Sequence, residues 1–326
     1  MFAALIKGRF GNLIDKRLYL PKEWTNDPKR CEDAGIPPEH RTYKTKPELA
    51  LEMIDSAIND GISFGHVVGD GFYGNTPQFA RGLDARKLKF MLDIHMDQVV
   101  YLKNPAPYLP RRKNGQGPKF KRQKSRGDGV TAKVIIEQIE LENAQKIEVR
   151  ETTKGTLNLL AWRKRVFLWD GEEKVARQWW LVVTKNCKDN EIKAFISNAE
   201  EARSLKNLVI VHQQRFWIER CFQDAKTSLG MADYQARKWN SWNHHVCLVT
   251  LGMLFMLKER IHHADEVTLL SCQDIVELLN FYLPRADLTE EALLRNIERR
   301  HQKRFDTIEA AYRKQGKTVD SFFSQA

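Results

Sequence analysis

The sequence predicts an α/β fold: a parallel strand–helix–strand layer, then a β-rich stretch, then helices to the end. Three observations predict it. Short apolar runs alternate with helical spacing between residues 46 and 100. Residues 130–205 hold one helical segment followed by KIEVRE, TLNLLAWRKRVFLW, ARQWWLVVT and IKAFISN, all β-like. From residue 211 on, apolar positions recur at helical spacing.

Taken in order, residues 2–6 and 12–20 read as two strands joined at Gly8 to Gly11, the second stopping at Pro21. Residues 22–45 are Pro-rich and charged and read as a loop. TKPELALEMIDSAIND places Leu49, Ile54, Ala57 and Ile58 at helical spacing, with Thr45 as N-cap and Gly61 as stop. A strand then ends at Asp70, a helix covers Pro77 to Arg86, and KLKFMLDIH is a further strand. Strand–helix–strand at this spacing implies parallel pairing. Residues 104–129 are rich in Pro and Gly. They carry eight basic residues uninterrupted by an acid: Arg111, Arg112, Lys113, Lys119, Lys121, Arg122, Lys124 and Arg126. Trp162, Trp169, Trp179 and Trp180 in the β-like stretch are read mostly as core of a small β unit, an exposed one being free to stack on a base. VHQQRFWIERCFQDAKTSLG, residues 211–230, is a helix with Gly230 at its C-terminus. Amphipathic helices follow at 271–283 and after Thr289, and the basic ERRHQKRF lies in the last of them.

Apolar residues make up 42% of the 326-residue chain, enough for a packed core and against global disorder. No uncharged apolar run reaches the roughly 18 residues that suggest a membrane span. MFAALIKGRF has too short an apolar stretch for a secretory signal. The formal net charge of +11 favours a polyanionic partner, nucleic acid first, and the basic run suits phosphate contacts. Arg237 and Lys238 are candidates for the same role. Five scattered cysteines without a Cys-x-x-Cys pair support neither a zinc site nor a disulfide framework.

Two constellations carry chemistry. In HVVGDGFYGN, Asp70 closes a strand between Gly69 and Gly71, which leave the backbone beside its carboxylate bare. In the 211–230 helix, Arg215, Glu219 and Lys226 share one face, with Trp217, Cys221 and Ala225 opposite. Alone, Arg215–Glu219 would be an ordinary surface ion pair. With Asp70 it matches what Mg²⁺ or Mn²⁺ requires at a phosphodiester, since two ions can serve the attacking and the leaving oxygen.

These residues carry a resemblance to the DDE-type transposases of bacterial insertion sequences, the branch marked by Tyr-x2-Arg-x3-Glu-x6-Lys. Arg215, Glu219 and Lys226 match three of the four positions, and His212 stands at the Tyr position. VVGDGFYG resembles the strand bearing the family's second acidic residue, here Asp70. LIDKRLYLPKEWTND, RTYKTKPELALEMI, QARKWNSWNHHVCLVTLGML and the tail around RRHQKRF resemble further blocks, so the resemblance runs from residue 2 to about 316.

The resemblance implies a ribonuclease H-like mixed sheet with a β-rich insertion and a helical tail. The expected boundaries are 1–100 and 206–260 for the core, 101–205 for the basic linker and insertion, and 261–326 for the tail. It implies Asp70 and Glu219 as metal ligands for Mg²⁺ (or Mn²⁺), Arg215 and Lys226 in support, and His212 beside the DNA. It implies double-stranded DNA, both transposon ends and target, as partner, a homodimer, no membrane, and a cytoplasmic, nucleoid-associated location. The family uses three carboxylates. The strand that would bear the first lies upstream of the segment FAALIKG resembles, and Asp15 belongs to a later strand. The chain is therefore expected to cut DNA negligibly by itself. A DNA-binding fragment that regulates an intact transposase is the alternative. An Asp70/Glu219 glycosidase pair ranks last, because the basic charge and the Arg–Glu–Lys face argue against it.

Overall fold

The computed structural model of the chain describes residues 1–110, 120, 122–138, 143–152, 155–283, 289–314, 316 and 318. Two compact units emerge, Met1–Cys272 and Gln273–Ala326.

The first unit opens with an antiparallel hairpin, β1 (Phe2–Lys7) and β2 (Phe10–Lys16). The charged stretch expected to be loop contains α1 (Lys22–Thr25) and α2 (Pro28–Asp33). Asp27 accepts from the Arg30 N–H and Pro28 sits at the first helical position, so local capping suffices to start α2. α3 (Lys46–Asn59) begins at Thr45 as the spacing predicts. The Thr45 hydroxyl accepts from the Glu48 N–H, and the Glu48 carboxylate accepts from the Thr45 N–H, a reciprocal cap.

β3 (Val67–Gly69), α4 (Gly71–Gly74), α5 (Pro77–Ala85) and β4 (Phe90–Ile94) follow. Val67, Val68 and Gly69 pair in parallel with Phe90, Met91 and Leu92, the predicted parallel layer. Next come β5 (Val99–Val100), β6 (Val130–Thr131) and α6 (Ala132–Glu137). Then come β7 (Gln145–Thr152), β8 (Gly155–Leu168), β9 (Arg177–Asn186) and β10 (Ile192–Ser197).

The last four strands do not form a separate small unit. They extend the sheet of β3 and β4 into six strands, in the order β3-β4-β10-β9-β8-β7. Only β3 and β4 are parallel among the pairs. β4 is buried along nearly its whole length, so its second edge has to be paired inside the protein, and β10 pairs with it.

Alternation along β4 sorts its side chains between two cores. Phe90, Leu92 and Ile94 join Leu181, Val183 and Ile196 beneath Met53 of α3 and Leu83 of α5. Met91 joins Val182 and Phe195 on the other face, beneath Leu208 and Val209 of α7 (Leu205–Gln213). Trp179 is buried in the first core and Trp162 packs against it. Trp180 packs against the second core, under the Arg163 and Arg165 guanidinium groups at 4.3 and 4.5 Å. The Trp169 indole N–H donates to the Glu173 carbonyl at 2.8 Å.

The helix expected over 211–230 is two helices, α7 and α8 (Arg215–Ser228). At the junction the Gln214 N–H donates to Val211 O and the Trp217 N–H to Gln214 O, three-residue bonds that tighten the chain there. The helix ends as expected at Gly230, which follows the C-cap Leu229 in the left-handed conformation (φ +69°) and opens a short 3₁₀ turn. α9 (Trp239–His262) packs with α8 on β2, where Leu13 meets Cys221, Ala225, Val249 and Met253. α10 (Cys272–Tyr282) follows. The second unit holds α11 (Glu290–Lys314), whose N-terminus is capped by Thr289 at 3.2 Å. ERRHQKRF lies on α11, which buries none of its described residues. Among the described residues no helix is long and apolar enough to cross a membrane.

Cys187 and Cys247 are exposed, while Cys31, Cys221 and Cys272 are buried. Burial pushes the Cys221 thiol up to about 11 and raises Cys272 as well. A thiol reagent at neutral pH should therefore label Cys187 and Cys247 quickly and the other three only on unfolding. Mass spectrometry of the timed reaction checks this, and early labelling of Cys221 would count against the packing of α8.

Candidate functional site

β4 and α7 build the site. Asp93 follows Met91 by two residues and so faces the same side of the sheet. Across the ladder it is paired with Phe195. His212 lies one turn beyond Leu208 on α7, which lays its ring flat on Phe195, centroids 4.0 Å apart at 7°. His212 Nε2 is hydrogen-bonded to Asp93 Oδ1. Past the junction, Arg215 turns its Nε to the other oxygen, 3.2 Å from Asp93 Oδ2. Its Nη2 lies 2.9 Å from Glu219 Oε1. The result is a continuous polar chain, His212–Asp93–Arg215–Glu219, running from the core to the surface. At the inner end His212 is only 2% exposed and its Nδ1 has no partner among the described residues; at the outer end the Glu219 side chain is 61% exposed.

This chain lines a cavity of about 190 Å³ together with Arg150, Thr184, Asn186, Glu191, Lys193 and Phe216. Every carboxylate in it has a basic neighbour. Asp93 and Glu219 share Arg215, and Glu191 lies 3.2 Å from the Lys193 ammonium. Arg150 is the exception among the cations. It stands next to a register shift in β7 that re-aims the strand, and its guanidinium lies 3.8 Å from the centre of the Phe216 ring. Its Nε is buried without a partner among the described residues, and burial pulls the group below its ordinary range.

The structure brings together His212, Arg215 and Glu219 of the expected site residues. His212, expected beside the DNA, is instead buried in the wall. Lys226 is exposed further along α8. Asp70 does not line the cavity. It sits at the end of β3 with its Oδ1 accepting from the Phe72 N–H at 3.0 Å, which caps α4. Its neighbour Tyr73 is pushed up to about 12 by burial and, to a lesser degree, by the Asp70 charge. Gly69 and Gly71 serve packing: a Cβ there would meet Leu92 at 2.9 Å and His95 at 2.6 Å.

Of the basic run, Arg111, Arg112, Lys113, Lys119 and Lys121 lie outside the described residues. Arg122, Lys124 and Arg126 are exposed, with Lys124 bridged to Tyr108 through the backbone and Arg126 over the Tyr108 ring at 5.4 Å. Arg237 is exposed, whereas the Lys238 ammonium donates to the Asp33 carbonyl and so ties α9 to the end of α2.

Sequence reasoning missed Asp93 and Arg150. A signal for Asp93 existed, because an acid inside FMLDI, an otherwise apolar strand, has to find a partner when that strand is buried.

A divalent cation needs several carboxylate or carbonyl oxygens pointed at one place. Among the described residues no group of three His, Cys, Asp or Glu is placed to hold one. Asp70 is occupied as a helix cap, and Glu219 is paired with Arg215. The described residues, as arranged, do not fit a resident metal.

No curated protein matches the chain. The family model described as DDE superfamily endonuclease matches residues 3–156, a span that contains Asp70, Asp93 and Arg150 and stops before Glu219. DDE superfamily nucleases generally use divalent metal ions and act on DNA, and this match supports a DDE-type nuclease or transposase family for the chain.

Proposed function

We propose that the chain is a DNA-binding member of the DDE-type transposases of insertion sequences that, by itself, cuts DNA negligibly. In this reading Asp70 and Glu219 are the family's second and third acidic residues, and Arg215 and Lys226 support them. The observation that supports it is the charge arrangement of the 190 Å³ cavity. Its carboxylates are already paired, and the cation left over, Arg150, has no acidic partner among the described residues. Such a site favours a phosphate oxygen over a metal ion. The DNA backbone would pass Arg150 with Phe216 beneath it, while Arg122, Lys124 and Arg126 add exposed positive charge. A homodimer on paired transposon ends, or a regulatory role beside an intact transposase, belongs to the same reading.

Gel shifts and nicking of labelled transposon-end duplex test it together. Binding should weaken with salt at a log–log slope of roughly −0.9 per neutralised phosphate, and Arg150→Ala should reduce the slope by about 1. Binding should survive Asp70→Ala. Neither Mg²⁺ nor Mn²⁺ should bring on cleavage above background. Robust nicking by the purified chain would refute the inactive half of the reading, and salt-independent binding would refute the rest.

A further inference from the structure

A second cavity, of about 570 Å³, shares no lining residue with the first. β2, α3 and the start of α9 enclose it, and its volume falls within the roughly 300–1,000 Å³ of small-molecule sites. Trp239 and Trp242, one turn apart on α9, line it with ring centroids 5.9 Å apart. His40 lies against Trp239 at 4.8 Å and 31°. The buried side chains of Leu20 and Leu49 contribute an apolar lining. Lys16 projects over the Trp242 ring, its ammonium 4.7 Å from the centroid, and is bonded to the Asn243 amide oxygen rather than to an acid.

The other charges are largely matched. Arg17 lies 2.5 Å from Asp15, and Lys44 lies 2.6 Å from Glu52. What remains open to a ligand is aromatic surface, a cation beside it and the Thr42 side chain, with Glu39 a further charge on the lining, while the Asn243 amide is held by Lys16 and the Trp239 carbonyl. Flat π surface next to a lone ammonium recognises a flat ring that carries a phosphate.

We propose that this cavity is a nucleotide pocket that receives an unpaired base of a DNA strand, stacked against Trp242 and Trp239 with its phosphate toward Lys16. The inference goes beyond the proposed function and shares with it only the premise that the chain meets DNA. The net charge of +11 favours a DNA strand over a free mononucleotide, since neighbouring phosphates add to attraction along the surface.

Fluorescence anisotropy of a labelled eight-nucleotide single strand, titrated with the full chain, tests it. Trp242→Ala should weaken binding about tenfold, the loss of one base–indole stack, and Trp242→Phe should retain most of the affinity. Lys16→Gln should weaken binding and flatten its salt dependence. His40→Ala, at the exposed rim, should weaken it less and carries the test if Trp242→Ala melts early by circular dichroism. A blunt duplex should bind these variants within about twofold of the original chain. Equal losses for duplex and single strand would overturn the pocket in favour of a general basic surface. Unchanged single-strand affinity in Trp242→Ala and His40→Ala, or no single-strand binding by the original chain, would also overturn it. Competition by dAMP as strong as that of the oligonucleotide would overturn the assignment to DNA. Nicking is not read in any arm, so robust cleavage by this chain, which would sink the inactive reading, leaves these affinities interpretable.

Discussion

Asp93→Ala is expected to lower stability by about 3 kcal/mol, because it strips a buried partner, His212, and a half-buried one, Arg215, at once. His212, 2% exposed, loses the acceptor of its Nε2 while its Nδ1 is already unpartnered. The ring is almost wholly buried, so losing that acceptor leaves part of its desolvation cost uncompensated. Arg215 loses the oxygen 3.2 Å from its Nε and keeps only Glu219, on the solvent side. For a folded unit of this size each kcal/mol moves the melting temperature by about 2–4 °C, so a fall of roughly 10 °C should be seen by circular dichroism. Glu219→Ala is the control. It removes an exposed end of the same chain of contacts and should cost no more than about 0.5 kcal/mol. If the two variants melted together, Asp93 would not be the anchor of the site.

Much of the layer around Asp93 was legible in the sequence. The Thr45 cap, the helix after it and the parallel pairing of the strand that ends at Asp70 follow from local spacing and capping chemistry, which act over a few residues. The union of β4 with β10 was not legible. Both strands are apolar enough to be central, but which edges meet depends on strands about a hundred residues apart, and periodicity carries no information on that. The same separation hid the Asp93–His212 contact, whose partners are 119 residues apart in the chain. The motif spacing placed Arg215, Glu219 and Lys226 on one face correctly. It did not reveal the junction at Gln214, although the polar run His212–Arg215 interrupts the apolar positions there and the buried face moves from Leu208, Val209 and His212 on α7 to Cys221, Asp224 and Ala225 on α8, about half a turn away. The Asp70 glycines misled for a different reason. A glycine beside a carboxylate reads equally well as room for a ligand or room for a neighbour, and here the neighbours are Leu92 and His95.

Gly74→Ala, by the same reasoning, should be the more damaging glycine change, at about 3 kcal/mol or more. A Cβ at residue 74 would stand 1.7 Å from the Asp93 carbonyl oxygen and 2.8 Å from its carbon. Those atoms are backbone in a strand paired on both sides, to β3 and to β10, so they cannot step aside without breaking a ladder. The alternative is for α4 to lift, and α4 has little freedom to do so. Asp70 caps it, and its Tyr73 ring packs on Phe79 at 4.9 Å. Gly8→Ala supplies the comparison. Gly8 has φ +60° with nothing within 4 Å of the added Cβ, so its cost is the left-handed strain alone, about 1–2 kcal/mol. Denaturant midpoints of the two variants separate steric from conformational cost. Gly74→Ala should lose clearly more, and it should also shift the environment of Tyr73 in near-ultraviolet circular dichroism, where Gly8→Ala should not. Equal midpoints would mean that α4 rests on β4 more loosely than the 1.7 Å approach implies, and Asp70 would then lose the rigid mount that holds its carboxylate at the end of β3.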